Sequence, residues 1–240
     1  MVEISVILPA LNEEENIKHV LEQLSAVVKH SDLSFEILVI DGGSSDRTLE
    51  IAKENGADCI QQPGKGYADA LITGFKAAKG SWICTLDCDN SHPPFVIHEM
   101  LLKRHEYDLI VASRFMKGGG SEANLFRLGL SKTLNKIFKF VLSIPVNDFS
   151  SGYRLYKRQV IRENYFSVNY DILPEILVSA YVQGYKISEV PFQYKERAYG
   201  SSNARILRFG FDFLRTLFKL RKLRFSHETR EVLLPYHSKE

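Results

Sequence analysis

Two aspartates, Asp87 and Asp89, stand one residue apart just after the apolar run Trp82 to Leu86. In an extended chain, side chains at i and i+2 point the same way, so both carboxylates can face one ligand. Two like charges this close repel unless a cation lies between them or one carries a proton. A divalent ion is one solution, because Mg²⁺ takes one or two carboxylates and completes its shell with phosphate oxygens and water. A solvated turn capped by two aspartates is the other, and the spacing alone leaves both open. A third acid, Asp41, ends a second apolar run that begins at Phe35. Three cysteines (Cys59, Cys84 and Cys88) form no C-x-x-C pair and no metal-finger spacing, so they read as reduced core thiols in a cytoplasmic setting.

The elements that must position these acids follow from hydrophobic patterning. Glu3 to Ala10 is a β-rich run ending near a proline, and Asn12 is expected to cap a helix whose first turn holds Glu13, Glu14 and Glu15. Phe35 to Gly43 is a second strand. The next helix opens at Ser44-Ser45-Asp46, with Asp46 as a cap, and ends at Gly56. Residues 59–63 give a short third strand, 64–80 a glycine-rich loop and helix, and 81–87 the next strand. Buried strands alternating with helices over residues 1–115 predict a mostly parallel α/β sheet flanked by helices, with ligands at the carboxyl ends of its strands. Asp41 and Asp87 fall on that edge. Beyond it the sequence predicts a flexible loop at 115–122 and an amphipathic basic helix at 124–144. A strand follows after Asp148, then a helix from Asp171 interrupted at Pro174, and a basic aromatic helix from Ala204 to Phe225.

With 240 residues, 45% hydrophobic and 25% charged, the chain suits one soluble globular domain (1–225) and a tail (226–240). A net charge of +2 implies no partner and gives no reason to expect nucleic acid. No basic leader follows Met1, and no stretch reaches the ~18 apolar residues of a membrane span, so neither is expected.

Taken in order, VILPALNEEENI, VIDGGSSDRT, GKGYADALITGFKAAKG, LDCDNSHPP, ASRF, DFSSGYRLYKR and EVPFQYKERAYGSS resemble the inverting nucleotide-sugar glycosyltransferases of family 2. Among these the likeness is to dolichyl-phosphate mannose synthases and related polyprenyl-phosphate sugar transferases, from Ile4 to Phe218. The resemblance implies the GT-A (Rossmann-like) fold with a C-terminal amphipathic helical extension, residues 1–115 serving the donor and 116–225 the acceptor. It implies a GDP- or UDP-sugar donor, Mg²⁺ or Mn²⁺, and a polyprenyl phosphate acceptor. By the same likeness Pro9, Leu11 and Glu13 line the nucleotide pocket and Asp41 reads the base. Asp87, Cys88 and Asp89 form the D-x-D segment of the donor site, with Asp89 the catalytic metal ligand and Asp87 on ribose or metal. Ser91 takes the place where relatives often carry Gln in the metal shell. Arg114, Arg127 and Ser131 grip the acceptor phosphate, the two arginines orienting it for reaction. Asp148, Ser151, Gly152 and Arg154 shape the acceptor pocket. Arg197, Gly200 and Ser201 match a loop that closes on the diphosphate, where Ser202 replaces a common Lys. Lys65 and His92 read as loop residues, and Asp69 as an open choice between sugar contact and structure.

A phosphate acceptor is already an anion and needs no general base. A hydroxyl acceptor would need one, with Asp148, Asp171 and Glu175 as candidates. Two alternatives therefore stand beside the lipid-phosphate reading: a family 2 transferase acting on a glycan hydroxyl, and an inactive sugar-nucleotide-binding protein. The basic, aromatic segment Ala204 to Phe225 is expected to lie on an anionic membrane surface, which places the protein at the periphery of a membrane on its cytoplasmic face.

Overall fold

The computed structural model describes residues 1–122, 124–167, 169–195 and 206–226, with side chains of 206–214 left aside. Strand β1 (Ile4–Ala10) leads to α1 (Ile17–Lys29), β2 (Phe35–Asp41), α2 (Thr48–Glu54), β3 (Asp58–Gln61), α3 (Tyr67–Ala77) and β4 (Trp82–Thr85). Next come α4 (Val96–Lys103), β5 (Leu109–Ser113), β6 (Gly120–Ser121), α5 (Leu125–Leu142), β7 (Arg154–Lys157), α6 (Ile172–Val182), β8 (Ile187–Pro191), β9 (Gln193–Tyr194) and α7 (Ile206–Phe225). The main sheet has the order β3-β2-β1-β4-β7-β5-β8. Only β7 runs antiparallel, between β4 and β5. The predicted, mostly parallel α/β fold is therefore the observed one.

Alternation along the strands builds a core on each face. Val6 and Leu8 turn to one side, where α1, α2 and α4 deliver Leu21, Leu24, Ala52, Ile97 and Met100. Ile7 turns to the other, where α3, α5, α6 and α7 deliver Leu71, Phe138, Ile176 and Leu220. Gly74 lets α3 approach closely: a Cβ there would lie 2.6 Å from Ile7 Cγ2. Strand order reverses between β1 and β4, and crevices at such switch points, outside the carboxyl ends of strands, are where open α/β sheets bind ligands.

Three local expectations are corrected. The first helix begins at Ile17, not after Asn12. Asn12 is left-handed (φ 55°), and its side-chain oxygen accepts from Ser45 N at 2.8 Å, so a tertiary contact overrides the capping pattern. Pro174 does not interrupt α6; it lies in the first turn, where an amide has no intrahelical acceptor to lose. Within the predicted flexible loop at 115–122, Gly120 and Ser121 pair with β9 in a two-stranded ribbon.

Candidate active site

Three loops meet at the carboxyl edge of β1, β2 and β4. In the first, Pro9 is half-buried, Leu11 exposed and Glu13 half-buried. Asn16 donates to Glu13 Oε2 at 2.8 Å, and Asn90 donates to Asn16 Oδ1 at 3.3 Å, which ties this loop to the D-x-D turn. In the second, Asp41 is buried and accepts from Gly43 N at 3.0 Å and Ser44 N at 3.1 Å, so its carboxylate shapes the turn after β2. Asp46 stands one residue before the N-cap of α2, which is Arg47 and not Asp46 as expected; it accepts from Thr48 N at 3.0 Å and from Glu14 N across the two loops.

The third loop carries the acid pair. Asp87 is partly exposed and Asp89 buried. Ser91 donates to Asp89 Oδ1 from its backbone N at 3.0 Å and also from its hydroxyl, so it orients the carboxylate. His92 is buried among the rings of Tyr153, Phe192 and Tyr194, and its Nδ1 accepts from Asp87 N at 3.0 Å. That bond occupies one ring nitrogen in holding the loop. Burial raises the Cys88 thiol well above its usual range, and the acids Glu13, Asp87 and Asp89 push it the same way. Cys88 is thus a neutral, packed thiol between the two acids.

The donor set can be weighed against a metal. Among the described residues no group of three or more His, Cys, Asp and Glu side chains is arranged to hold an ion. Two carboxylates from one turn are not an all-protein cage. They do match the pattern of Mg²⁺ or Mn²⁺, in which one or two carboxylates are completed by substrate phosphate and water. The residues fit an ion that arrives with a diphosphate.

Around Arg114 the structure adds a constraint. The Arg114 guanidinium, 18% exposed, donates from Nε to Asp148 Oδ2 at 2.7 Å and from Nη2 to Asp148 Oδ1 at 2.9 Å. It also donates to Ser150 Oγ at 2.8 Å. Burial alone would raise the Asp148 carboxyl, but the Arg114 charge and its hydrogen bonds prevail and hold it below the usual range. Arg114 is thus paired through Nε and Nη2, and Asp148 is a paired anion with no exposed surface. Arg127 stands exposed on α5 with Ser131 one turn on. Asn135 joins that helix to the turn, donating to Ser150 Oγ at 3.1 Å and accepting from Phe149 N at 2.6 Å.

The other two candidate bases are engaged as well. Asp171 accepts from Asn169 N at 3.0 Å and from the Thr216 hydroxyl at 3.2 Å. Glu175 is buried and accepts from Phe166 N and Ser167 N at 3.0 and 2.9 Å. Arg154 is fully buried and donates to the carbonyls of Phe149, Ser151 and Leu173, which pins the 148–154 turn to α6. Asp69 accepts from Gly64 N at 2.8 Å and so closes the glycine-rich loop, while Lys65 is exposed. Arg197, Gly200, Ser201 and Ser202 lie outside the described residues; the last before them, Lys195, donates its N–H to Ser91 O at 3.2 Å. Sequence reasoning missed Tyr67, whose hydroxyl donates to Asp87 Oδ1 at 3.5 Å, and Glu189, which accepts from Asn147 N at 2.9 Å and Asp148 N at 3.1 Å. Their signals, a tyrosine directly after Gly64-Lys65-Gly66 and the Glu of E-V-P-F-Q-Y, were visible but carried no local chemical pattern.

A mostly parallel sheet with helices on both faces and an acidic turn at its switch point is the architecture of the GT-A class of transferases. The sequence profile of glycosyl transferase family 2 matches residues 5–164, and the chain belongs to this family. A dolichyl-phosphate hexose transferase of Haloferax volcanii is 31% identical over 197 residues, covering 82% of this chain and 84% of that protein. A dolichol-phosphate mannosyltransferase of Pyrococcus furiosus is 31% identical over 229 residues, covering 91% of this chain and 64% of that protein. Among solved structures, glucosyl-3-phosphoglycerate synthase from Mycobacterium tuberculosis shares the fold, with a TM-score of 0.72 at 24% identity over 91% of this chain and 80% of that one.

Proposed function

We propose that the protein transfers a hexose from a nucleoside-diphosphate sugar to a polyprenyl phosphate, with inversion at the anomeric carbon. The carrying observation is the state of the three candidate bases: Asp148 is ion-paired and unexposed, Glu175 is buried on two backbone amides, and Asp171 is held by Asn169 and Thr216. A hydroxyl acceptor requires a carboxylate free to take its proton, whereas a phosphate oxygen is already charged. The named activities of the Haloferax and Pyrococcus relatives support the same reading.

In this scheme Pro9, Leu11, Glu13 and Asp41 form the nucleotide side and Asp87 and Asp89 the diphosphate side. A phosphate oxygen of the acceptor attacks C1 as the bond from C1 to the diphosphate oxygen breaks, and the electron pair leaves with the nucleoside diphosphate. Asp87 and Asp89 would hold Mg²⁺ or Mn²⁺, which supplies positive charge to the leaving group. The M. tuberculosis fold relative has been crystallised with Mn²⁺ and UDP. Ser91 keeps Asp89 aimed and the buried His92 keeps the turn rigid. Arg127 and Ser131 would meet the acceptor phosphate, and Arg114 braces the Asp148 turn. Arg197, outside the described residues, would meet the diphosphate.

A lipid acceptor requires access to a membrane surface. No helix among the described residues is long and apolar enough to cross a membrane. On α5, Phe126 and Phe140 are 74% and 87% exposed beside the exposed Lys132, Lys136 and Lys139, and that helix contains no acid. On the adjoining α7, Phe218 is 78% exposed beside Lys219, Arg221 and Lys222. Exposed aromatics among cations suit the interface of an anionic bilayer. Incubation with Mn²⁺, GDP- and UDP-hexoses and a polyprenyl phosphate should yield a glycolipid, and Asp89→Ala should remove it. Transfer to a glycan hydroxyl with none to the lipid phosphate would overturn the proposal.

A further inference from the structure

Tyr67 has no place in the donor and acceptor roles above, yet it touches the acid turn. It is the first residue of α3 and follows Gly66, whose φ of 88° turns the loop sharply into the helix. Its ring stacks on Tyr170 with centroids 4.5 Å apart and planes inclined at 22°. Its hydroxyl donates to Asp87 Oδ1. On the other side of the carboxylate, His92 Nδ1 lies 3.7 Å from Asp87 Oδ2.

A second observation bears on the same hydroxyl. A Cβ on Gly152 would lie 2.4 Å from Tyr67 Oη, but 3.6 Å from Asp87 Oδ1 and 3.6 Å from the ring carbon bearing that hydroxyl. The 148–154 turn can therefore carry no side chain at 152 while the phenol reaches Asp87. The turn itself is fixed there, because Thr85 Oγ1 donates to Gly152 O at 2.6 Å from the last residue of β4. Tyr170 and the 148–154 turn thus surround the phenol that reaches this carboxylate.

We propose that Tyr67 is a positioning residue for Asp87. A carboxylate at the end of a two-bond side chain can rotate, and a fixed setting would suit an ion held jointly with Asp89. The phenol, fixed by the Tyr170 stack and given room by Gly152, holds that setting, while His92 holds the Asp87 backbone. Outer-shell donors of this kind tune ligand orientation, and their loss lowers metal affinity by about 10- to 100-fold. The inference rests on the reading of Asp87 and Asp89 as the donor-site metal ligands.

The test is Mn²⁺ titration of the full chain in the presence of UDP or GDP, with free Mn²⁺ followed by electron paramagnetic resonance. Tyr67→Phe keeps the ring stack and removes only the hydroxyl. It should weaken Mn²⁺ binding by on the order of tenfold with an unchanged thermal midpoint. Gly152→Ala should weaken it too by displacing the phenol. In the double variant the obstructing oxygen is gone, so Gly152→Ala should add nothing to Tyr67→Phe. Wild-type Mn²⁺ affinity in Tyr67→Phe, a parallel fall in its thermal midpoint, or additivity of the two substitutions would overturn the positioning role alone. A wild-type protein that binds no Mn²⁺ with either nucleotide would overturn the donor-site reading along with it.

Discussion

Replacing Arg114 by alanine should destabilise the fold by about 3 to 5 kcal/mol, the usual range when one member of a buried ion pair is removed. The geometry justifies the full range. Asp148 has no exposed surface, and both of its oxygens receive guanidinium N–H groups, at 2.7 and 2.9 Å. Alanine would leave the carboxylate with the Arg114 backbone N–H at 3.2 Å and the Ser150 hydroxyl at 3.1 Å as neutral donors from that side. At ~2–4 °C per kcal/mol for a domain of this size, the thermal midpoint should fall by roughly 6 to 20 °C. Urea denaturation at a series of pH values reads the effect. The Asp148 carboxyl is held below its ordinary value of 3.8. A depressed folded pKa gives stability that is present above the unfolded value and lost as pH falls through the folded one. The gap between wild type and variant should therefore be full at neutral pH and close in strong acid, below the ordinary carboxylate range. The double variant Arg114→Ala/Asp148→Ala should cost about 2 kcal/mol less than the sum of the singles. An Arg114→Ala protein that unfolds at the wild-type urea concentration, with only its acceptor KM raised, would refute this reasoning. It would mean that the guanidinium serves the phosphate and not the pair.

Three further outcomes follow from other parts of the structure. Gly74→Ala should lower stability by about 1–3 kcal/mol in the same urea assay, because its Cβ would press on Ile7 across the α3–β1 contact. Burial raises the Glu175 carboxyl above its ordinary 4.5, so its contribution to stability is full below that value and declines as pH rises through the raised one. Glu175→Gln should flatten this part of the pH–stability curve, and an unchanged slope would contradict it. Reversing Lys132 and Lys136 to glutamate on α5 should abolish flotation with anionic vesicles without moving the thermal midpoint, since both are exposed; undiminished flotation would remove α5 from the membrane face.

The frame of the fold was legible because β1, β2 and β4 are near-continuous apolar runs whose chemistry declares burial on both faces. Asp41 and the Asp87–Asp89 pair stood at their ends in the sequence as they do in the structure. What escaped was decided by partners far along the chain. The acids after Asn12 read as a capped helix start, but Asn12 and Glu14 instead bond to the loop before α2, and the helix waits until Ile17. Nothing in Arg154–Lys157 marks it as the one antiparallel strand between β4 and β5. Arg114 read as a phosphate ligand because a guanidinium suits phosphate; that it faces Asp148, 34 residues on, is a fact of topology.

The same long-range contacts bear on how the acid pair can exist. Asp87 and Asp89 repel, and an unsupported loop would relax by swinging one of them away. Here the turn is tied to α1 through Asn90 and Asn16, to α3 through Tyr67, and to the segment after β9 through Ser91 and Lys195. Asp89 is further fixed by Ser91, and the backbone of Asp87 by His92. Each neutral hydrogen bond contributes only about 1 kcal/mol and those to the carboxylates somewhat more, but their sum resists the repulsion. The carboxylates are thereby held before any ligand arrives, which spares binding the entropy of ordering them. On the proposed reading, a cation entering between the two acids would relieve the repulsion that remains. On that reading the turn would favour the ion–diphosphate pair over either component alone, because two carboxylates supply the charge but too few oxygens to fill the shell.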